Sequence, residues 1–191
     1  MGAAMSKKSQ IIWKAVEYEG LEHLYLREQR TLVQAVSTVI SVVDGRPLRL
    51  DYTLECDERY VMHQLNVSLF DGRHLVLNRD SHGNWINEIR TLLPELDGCI
   101  DVDISATPFT NTLPIRRIEW QVGQSEIFKM VYILVPDLTV SVMRQRYTCL
   151  AKHDQGATFR YENVDDDFEA DITVDSDGLV VHYPDLFERV I

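Results

Sequence analysis

The chain has 191 residues, 45% of them hydrophobic, and a net charge of −11. That apolar content suffices for one substantial core, while the acidic balance argues against nucleic acid or an anionic membrane surface as partner, since both require a basic face. No run is long and apolar enough to span a membrane, and the opening MGAAMSKKSQ lacks the apolar stretch of an export signal, so a cytoplasmic location is expected. Cys56, Cys99 and Cys149 are odd in number, widely spaced and without a CxxC or Cys/His cluster; they read as reduced, buried thiols, not as a disulfide framework or zinc site.

Residues 1–10 read as a tail and 11–191 as a single domain. MGAAMS matches the myristoylation pattern through Gly2 and Ser6, although a natural start at Met5 explains the same letters and is preferred. Period-two alternation then takes over. Strands are expected near 11–18, 21–29, 31–43, 48–56, 60–70, 73–80 and 85–90; in LNVSLF, for example, Leu65, Val67 and Leu69 share one face. RTLLPEL (90–96) is the one stretch with helical character, cut short by Pro94. Further strands follow near 99–105, 115–121, 126–135, 138–151, 157–163, 168–175 and 179–183, with NVDDDFEAD (163–171) as a solvated hairpin end. Turn signals separate these runs: DG at 44–45 and 71–72, HGN at 82–84, HDQG at 153–156 and SDG at 176–178.

Many strands on short turns, without intervening amphipathic helices, describe an all-β chain folded as one large antiparallel meander. So many strands in one open sheet accumulate twist and expose edges. A barrel or strongly curved half-barrel enclosing an internal cavity is therefore the expected shape.

Ready-made chemistry is not visible. There is no glycine-rich phosphate loop, no HExxH and no GxSxG, and the six histidines form no pair at ligand spacing, so neither a metal nor a cofactor is expected. The unusual stretch is LDGCIDVDISATPFTNTLPIRRIEW, residues 96–120. In a strand over 99–104, Asp101 and Asp103 share the face opposite Ile100, Val102 and Ile104, about 6.5–7 Å apart. That spacing permits a general acid and base acting on a sugar, or simply a polar strand face.

In IRRIEW, read as a strand, Arg116 shares a face with Trp120 while Arg117 takes the other. A buried arginine needs a carboxylate or a bound anion, and Asp101 and Asp103 are the nearest partners in a hairpin. The loop residues Thr110 and Asn111 supply side chains for ligand hydroxyls or for their own backbone. In LTVSVMRQRYTCL, one face turns from apolar to cationic at Arg144 and Arg146, while Met143, Gln145 and Tyr147 occupy the other. A wall of changing polarity suits an amphiphile, and equally a strand leaving the core. Met143 and Trp120 are candidate pocket lining.

The long block LDGCIDVDISATPFTNTLPIRR, with GNW before it and RQRYT and VDSDGLVVHYPDLFERV after it, resembles the bacterial putative glycolipid-binding family, formerly a domain of unknown function. The resemblance runs from LDYTLECD to the C-terminus. It implies one antiparallel barrel-like domain similar in shape to half-barrel lipoprotein carriers, with no established enzymatic activity. It carries over Trp85, Asp101, Asp103, Thr110, Asn111, Arg116, Arg117, Gln145, Tyr147, Tyr183 and Pro184. On that basis Arg116, Asp103 and Tyr147 are expected at the cavity mouth, beside Thr110, Asn111, Trp120, Met143 and Gln145, with Asp101 and Arg117 as a structural ion pair.

The leading expectation is non-catalytic binding of a glycolipid or other amphiphile inside the curved sheet. The alternatives are an enzyme using Asp101 and Asp103 on a sugar or lipid-linked substrate, and a protein-interaction module.

Overall fold

The computed structural model describes residues 6–191. Gly2, and with it the acylation pattern, lies outside the described residues. Fourteen strands form one sheet. They are β1 (Lys7–Ala15), β2 (Gly20–Glu28), β3 (Val33–Val43), β4 (Arg46–Cys56), β5 (Met62–Leu69), β6 (His74–Arg79), β7 (Trp85–Asn87), β8 (Asp101–Ile104), β9 (Ser125–Leu134), β10 (Thr139–His153), β11 (Gly156–Asn163), β12 (Glu169–Asp175), β13 (Val180–Tyr183) and β14 (Phe187–Arg189). β1 begins within the stretch read as a tail, and β14 has no counterpart among the expected strands.

The order is β7-β6-β5-β4-β3-β2-β1-β14-β13-β12-β11-β10-β9-β8, so two meanders run outward from a central β1–β14 pair. Alternation does what the sequence implies. Leu24, Ser37, Tyr52 and Val67 pair in one ladder and are all buried, whereas the neighbouring ladder His23, Thr38, Asp51 and Ser68 faces outward. The DG at 44–45 makes the tight β3–β4 turn, with φ of 49° and 72° at Asp44 and Gly45.

Of the two expected shapes, barrel or strongly curved half-barrel, the open one forms: β7 and β8, of three and four residues, are the two edges of the sheet. They are tied at a seam where the buried Trp85 indole donates to the Cys99 carbonyl (2.9 Å). Two expectations are corrected. The sheet is mixed, because β8 runs parallel to β9. And the strand expected over 115–121 does not form: its first residues end a helix, α1 (Thr112–Arg117), entered through a 3-10 turn at Phe109–Asn111, and 118–121 is irregular.

The two corrections share a cause. Parallel neighbours need a crossover connection, which a hairpin loop cannot supply. Residues 105–124 make that crossover. Pro114 falls in the first turn of α1, where its missing amide costs nothing, and Thr107 Oγ1 accepts from the Phe109 amide (3.0 Å) to start the turn.

Turns gather at two ends of the sheet. The Asp44 end carries the turns 16–19, 44–45, 70–73 and 135–138; the Gly178 end carries 29–32, 57–61, 154–155 and 176–179. The crossover runs from the first end to the second through the middle of the molecule, where Phe109, Thr110, Thr112 and Leu113 are fully buried. Thr107 meets Tyr52 of β4, Asn111 meets Tyr147 of β10, and the Thr112 hydroxyl donates to Gly178 O (2.9 Å).

The hollow expected in the middle is therefore occupied by this segment. It divides the interior into a cluster under β1–β7, around Trp13, Leu54 and Trp85, and a second around Trp120, Tyr147, Phe159 and Tyr183. Val102, Ile104, Val131 and Ile133 pack into the first cluster, so β8, and β9 where it runs beside β8, are largely covered on both faces.

Candidate functional site

The alternation of β8 sends Asp101 and Asp103 to the side of Met130 and Tyr132 on β9. That side is not solvent. Asp101 has 0% exposure, and its Oδ1 accepts from Arg117 Nη1 at the end of α1. Burial raises the Asp101 carboxyl above its ordinary value, and the Arg117 guanidinium opposes the rise. The Arg117 guanidinium also lies over the Phe128 ring at 5.3 Å. The ion pair expected between Asp101 and Arg117 is thus present, but it pins a helix to a strand where a hairpin pair was expected.

Asp103 is half-buried two residues on and accepts from Thr110 Oγ1 (2.9 Å) and Gln145 Nε2 (2.6 Å). Tyr147 donates to Asn111 Oδ1 (2.8 Å). Burial raises the Asp103 carboxyl, with the two donors opposing it, and burial followed by the Asp103 charge holds the Tyr147 phenol well above its usual value. Met143 Sδ lies 3.6 Å from Gln145 Nε2. Asp103, Thr110, Asn111, Met143, Gln145 and Tyr147 therefore form one internal network that fixes the crossover against β8 and β10. Trp85 stands at the seam, Tyr183 in the second cluster, and Pro184 beside a small outer cleft with Arg160 and Phe168.

Arg116 and Trp120 lie elsewhere, and together. They line a cleft of about 370 Å³ at the Gly178 end, with Tyr60, Ile115, Ile118, Phe159 and Lys152. The Arg116 guanidinium lies 5.0 Å from the centre of the Tyr60 ring and bonds Glu28 Oε1 (3.2 Å), which also accepts from the Tyr60 hydroxyl (2.8 Å). Trp120 donates to Ile115 O (3.0 Å) and packs edge-on to Phe159 with centroids 5.2 Å apart, which fixes the cleft floor. A side chain at Gly178 would put its Cβ 3.0 Å from Arg116 Cδ at a φ of +71°, so glycine there keeps the arginine in place.

Sequence reasoning missed Tyr60 and Glu28. Tyr60 sits at a φ of +62° in a turn closed by Asp57 Oδ1 on the Arg59 and Val61 amides, and the letters DERY carry no sign of that conformation.

The fold and these sites define a single curved, open all-β sheet with a helical crossover packed through it and a mixed polar and aromatic cleft at one end. The chain belongs to the putative glycolipid-binding family, whose model matches residues 10–189. It is similar to the crystal structure of a DUF1089 family protein from Pseudomonas aeruginosa, with 33% identity and a TM-score of 0.76 over 99% of this chain and 94% of that one. No curated protein matches. Among the described residues no helix is long and apolar enough to cross a membrane.

Proposed function

We propose that the chain binds the saccharide head of a glycolipid, or a comparable polar head on an apolar tail, at the Gly178 end and does not transform it. The observation that carries this reading is Arg116, braced by Glu28 and Tyr60, at the rim of a cleft floored by Trp120 and Phe159. Aromatic floors suit the C–H face of a sugar, and the rim groups Arg116, Lys152, Glu58 and Glu119 offer donors and acceptors for its hydroxyls. The volume is at the lower end of ligand sites, which run from roughly 300 to 1,000 Å³. It suits a head group, and the filled interior leaves the tail to follow the rim.

Catalysis by the carboxylate pair is the weaker reading, because Asp101 is committed to Arg117 and neither aspartate lines this cleft. Calorimetric titration with octyl glucoside below its micelle concentration tests the proposal. Saturable binding weakened at least tenfold by Arg116→Ala supports it; binding that is absent, or indifferent to that change, refutes it.

A second reading, protein interaction through the outer sheet face, is favoured by the cross-strand pair Leu21 and Ile40, 55% and 60% exposed, beside Val42. Sedimentation of wild type against Ile40→Lys checks it: self-association abolished by the lysine supports docking there.

A further inference from the structure

We infer that the Asp44 end holds a second binding site, which receives the ammonium group of an alkyl amine against the Glu22 carboxylate. Glu22 occupies an inward position of β2, in line with Leu24 and Leu26, and only 2% of it is exposed. Its Oε1 accepts from Ser37 Oγ (2.7 Å) and the Tyr52 hydroxyl (2.7 Å). Its Oε2 has no hydrogen-bond partner, and among the described residues no lysine or arginine acts on it. A carboxylate buried without a cation is expensive, and the free oxygen gives that expense a direction.

The residue lines a void of about 10 Å³ with Trp13, Tyr18, Ser41, Ala106 and Phe187. Tyr18, Ser41 and Ala106 also line a cleft of about 320 Å³, whose other walls include Val42, Val43, Leu48 and Val135. Val43, Asp44 and Leu48 continue in turn into a groove of about 930 Å³. The valines, Leu48 and Val135, with Asp44, Ser41 and Ser105 beside them and Arg46, Arg49 and Arg73 farther out in the groove, thus lead toward a buried acid among aromatic rings.

The void is about the size of one water, and a primary ammonium is no larger. A hydroxyl in that place would satisfy Oε2 but leave the negative charge unbalanced. An ammonium does both, and the rings of Trp13, Tyr18 and Phe187 favour a cation. The hydrocarbon tail then lies along the valines and Leu48.

The titratable neighbours are few. Tyr52 from β4 and Tyr18 from the β1–β2 turn face Glu22, Ser37 and Tyr52 donate to it, Thr107 stands next to Tyr52, and Asp44 stands in the outer cleft. Burial pushes the Glu22 carboxyl up to about 7, against the neighbouring hydroxyls of Thr107, Ser37 and Tyr52. An alkyl amine is protonated across this range, so its affinity rises as Glu22 ionises.

The test is a pair of calorimetric titrations of the full chain, one with hexylamine hydrochloride and one with hexanol. Hexylamine is expected to bind at least tenfold more tightly than hexanol at pH 8, and about tenfold more tightly at pH 8 than at pH 6. Glu22→Gln, verified as folded by circular dichroism and thermal unfolding, is expected to remove the amine's advantage. It leaves octyl glucoside binding at the Gly178 end unchanged, which separates this inference from the proposed function. Equal binding of the alcohol, indifference to Glu22→Gln, or failure of the amine to bind overturns it and leaves Glu22 as a buried acid that ties β2 to Ser37 and Tyr52 alone.

Discussion

At the Gly178 end the charges sit partly in solvent and come with partners: Arg116 meets Glu28, stacks on Tyr60 and has Asp177 within 4.0 Å. At the Asp44 end one acid, Glu22, lies buried with hydroxyl donors and, among the described residues, no lysine or arginine acting on it. Water screens the first arrangement, so Arg116 contributes little to folding and is available to a ligand. The second is shielded from water, so the state of Glu22 weighs on the stability of the whole chain. The crossover that separates the two ends rests on the buried Asp101–Arg117 pair, which belongs to neither.

The largest expected effect comes from the neighbour of Arg116. Arg117→Ala leaves Asp101 buried and unpaired and is expected to cost about 3–5 kcal/mol in urea unfolding, whereas Arg116→Ala costs less than about 1 kcal/mol. Similar losses for the two adjacent arginines would erase the distinction between interior and rim. Next comes Glu22. Its folded value of about 7 exceeds the ordinary 4.5, so the protonated form stabilises the fold fully below pH 4.5, and that contribution is lost as pH rises through 7. The shift corresponds to about 3 kcal/mol, visible as a falling urea midpoint from pH 4.5 to 8 that Glu22→Gln flattens. Arg116→Ala is then expected to weaken glycoside binding about tenfold, or about 1.4 kcal/mol, without altering amine binding at the far end. The smallest effect is that of Tyr60→Phe, which removes one hydrogen bond to Glu28; a loss of about 1 kcal/mol or less in stability is expected in the same unfolding assay.

Much of the sheet was legible because its strands alternate cleanly: in β3 the burial of Val33, Ala35, Ser37 and Val39 follows period two, and turn dipeptides mark the hairpin ends. The face shared by Asp101 and Asp103 was legible for the same reason; the pairing of Asp101 with Arg117 was expected from the family resemblance alone, and it is made by a helix where alternation suggested a hairpin. The crossover was not. IRRIEW alternates well enough to pass for a strand, and only the parallel pairing of β8 with β9, a long-range fact, turns it into a helix. That error put Arg116 and Asp103 at one mouth, whereas the helix carries Arg116 to the rim and leaves Asp103 in the internal network. Tyr60, in the turn after β4, and Glu28, at the end of β2, reach Arg116 from far along the chain, where no local pattern announces them.

Protein-observed NMR during titration with octyl glucoside tests most directly whether binding happens at the ends of a filled sheet. Shifts confined to residues 58–60, 115–120, 152–159 and 174–178 are expected. Shifts centred on Asp103, Gln145 and Tyr147, with the Gly178-end residues unmoved, would contradict the account by placing the ligand where the crossover now lies.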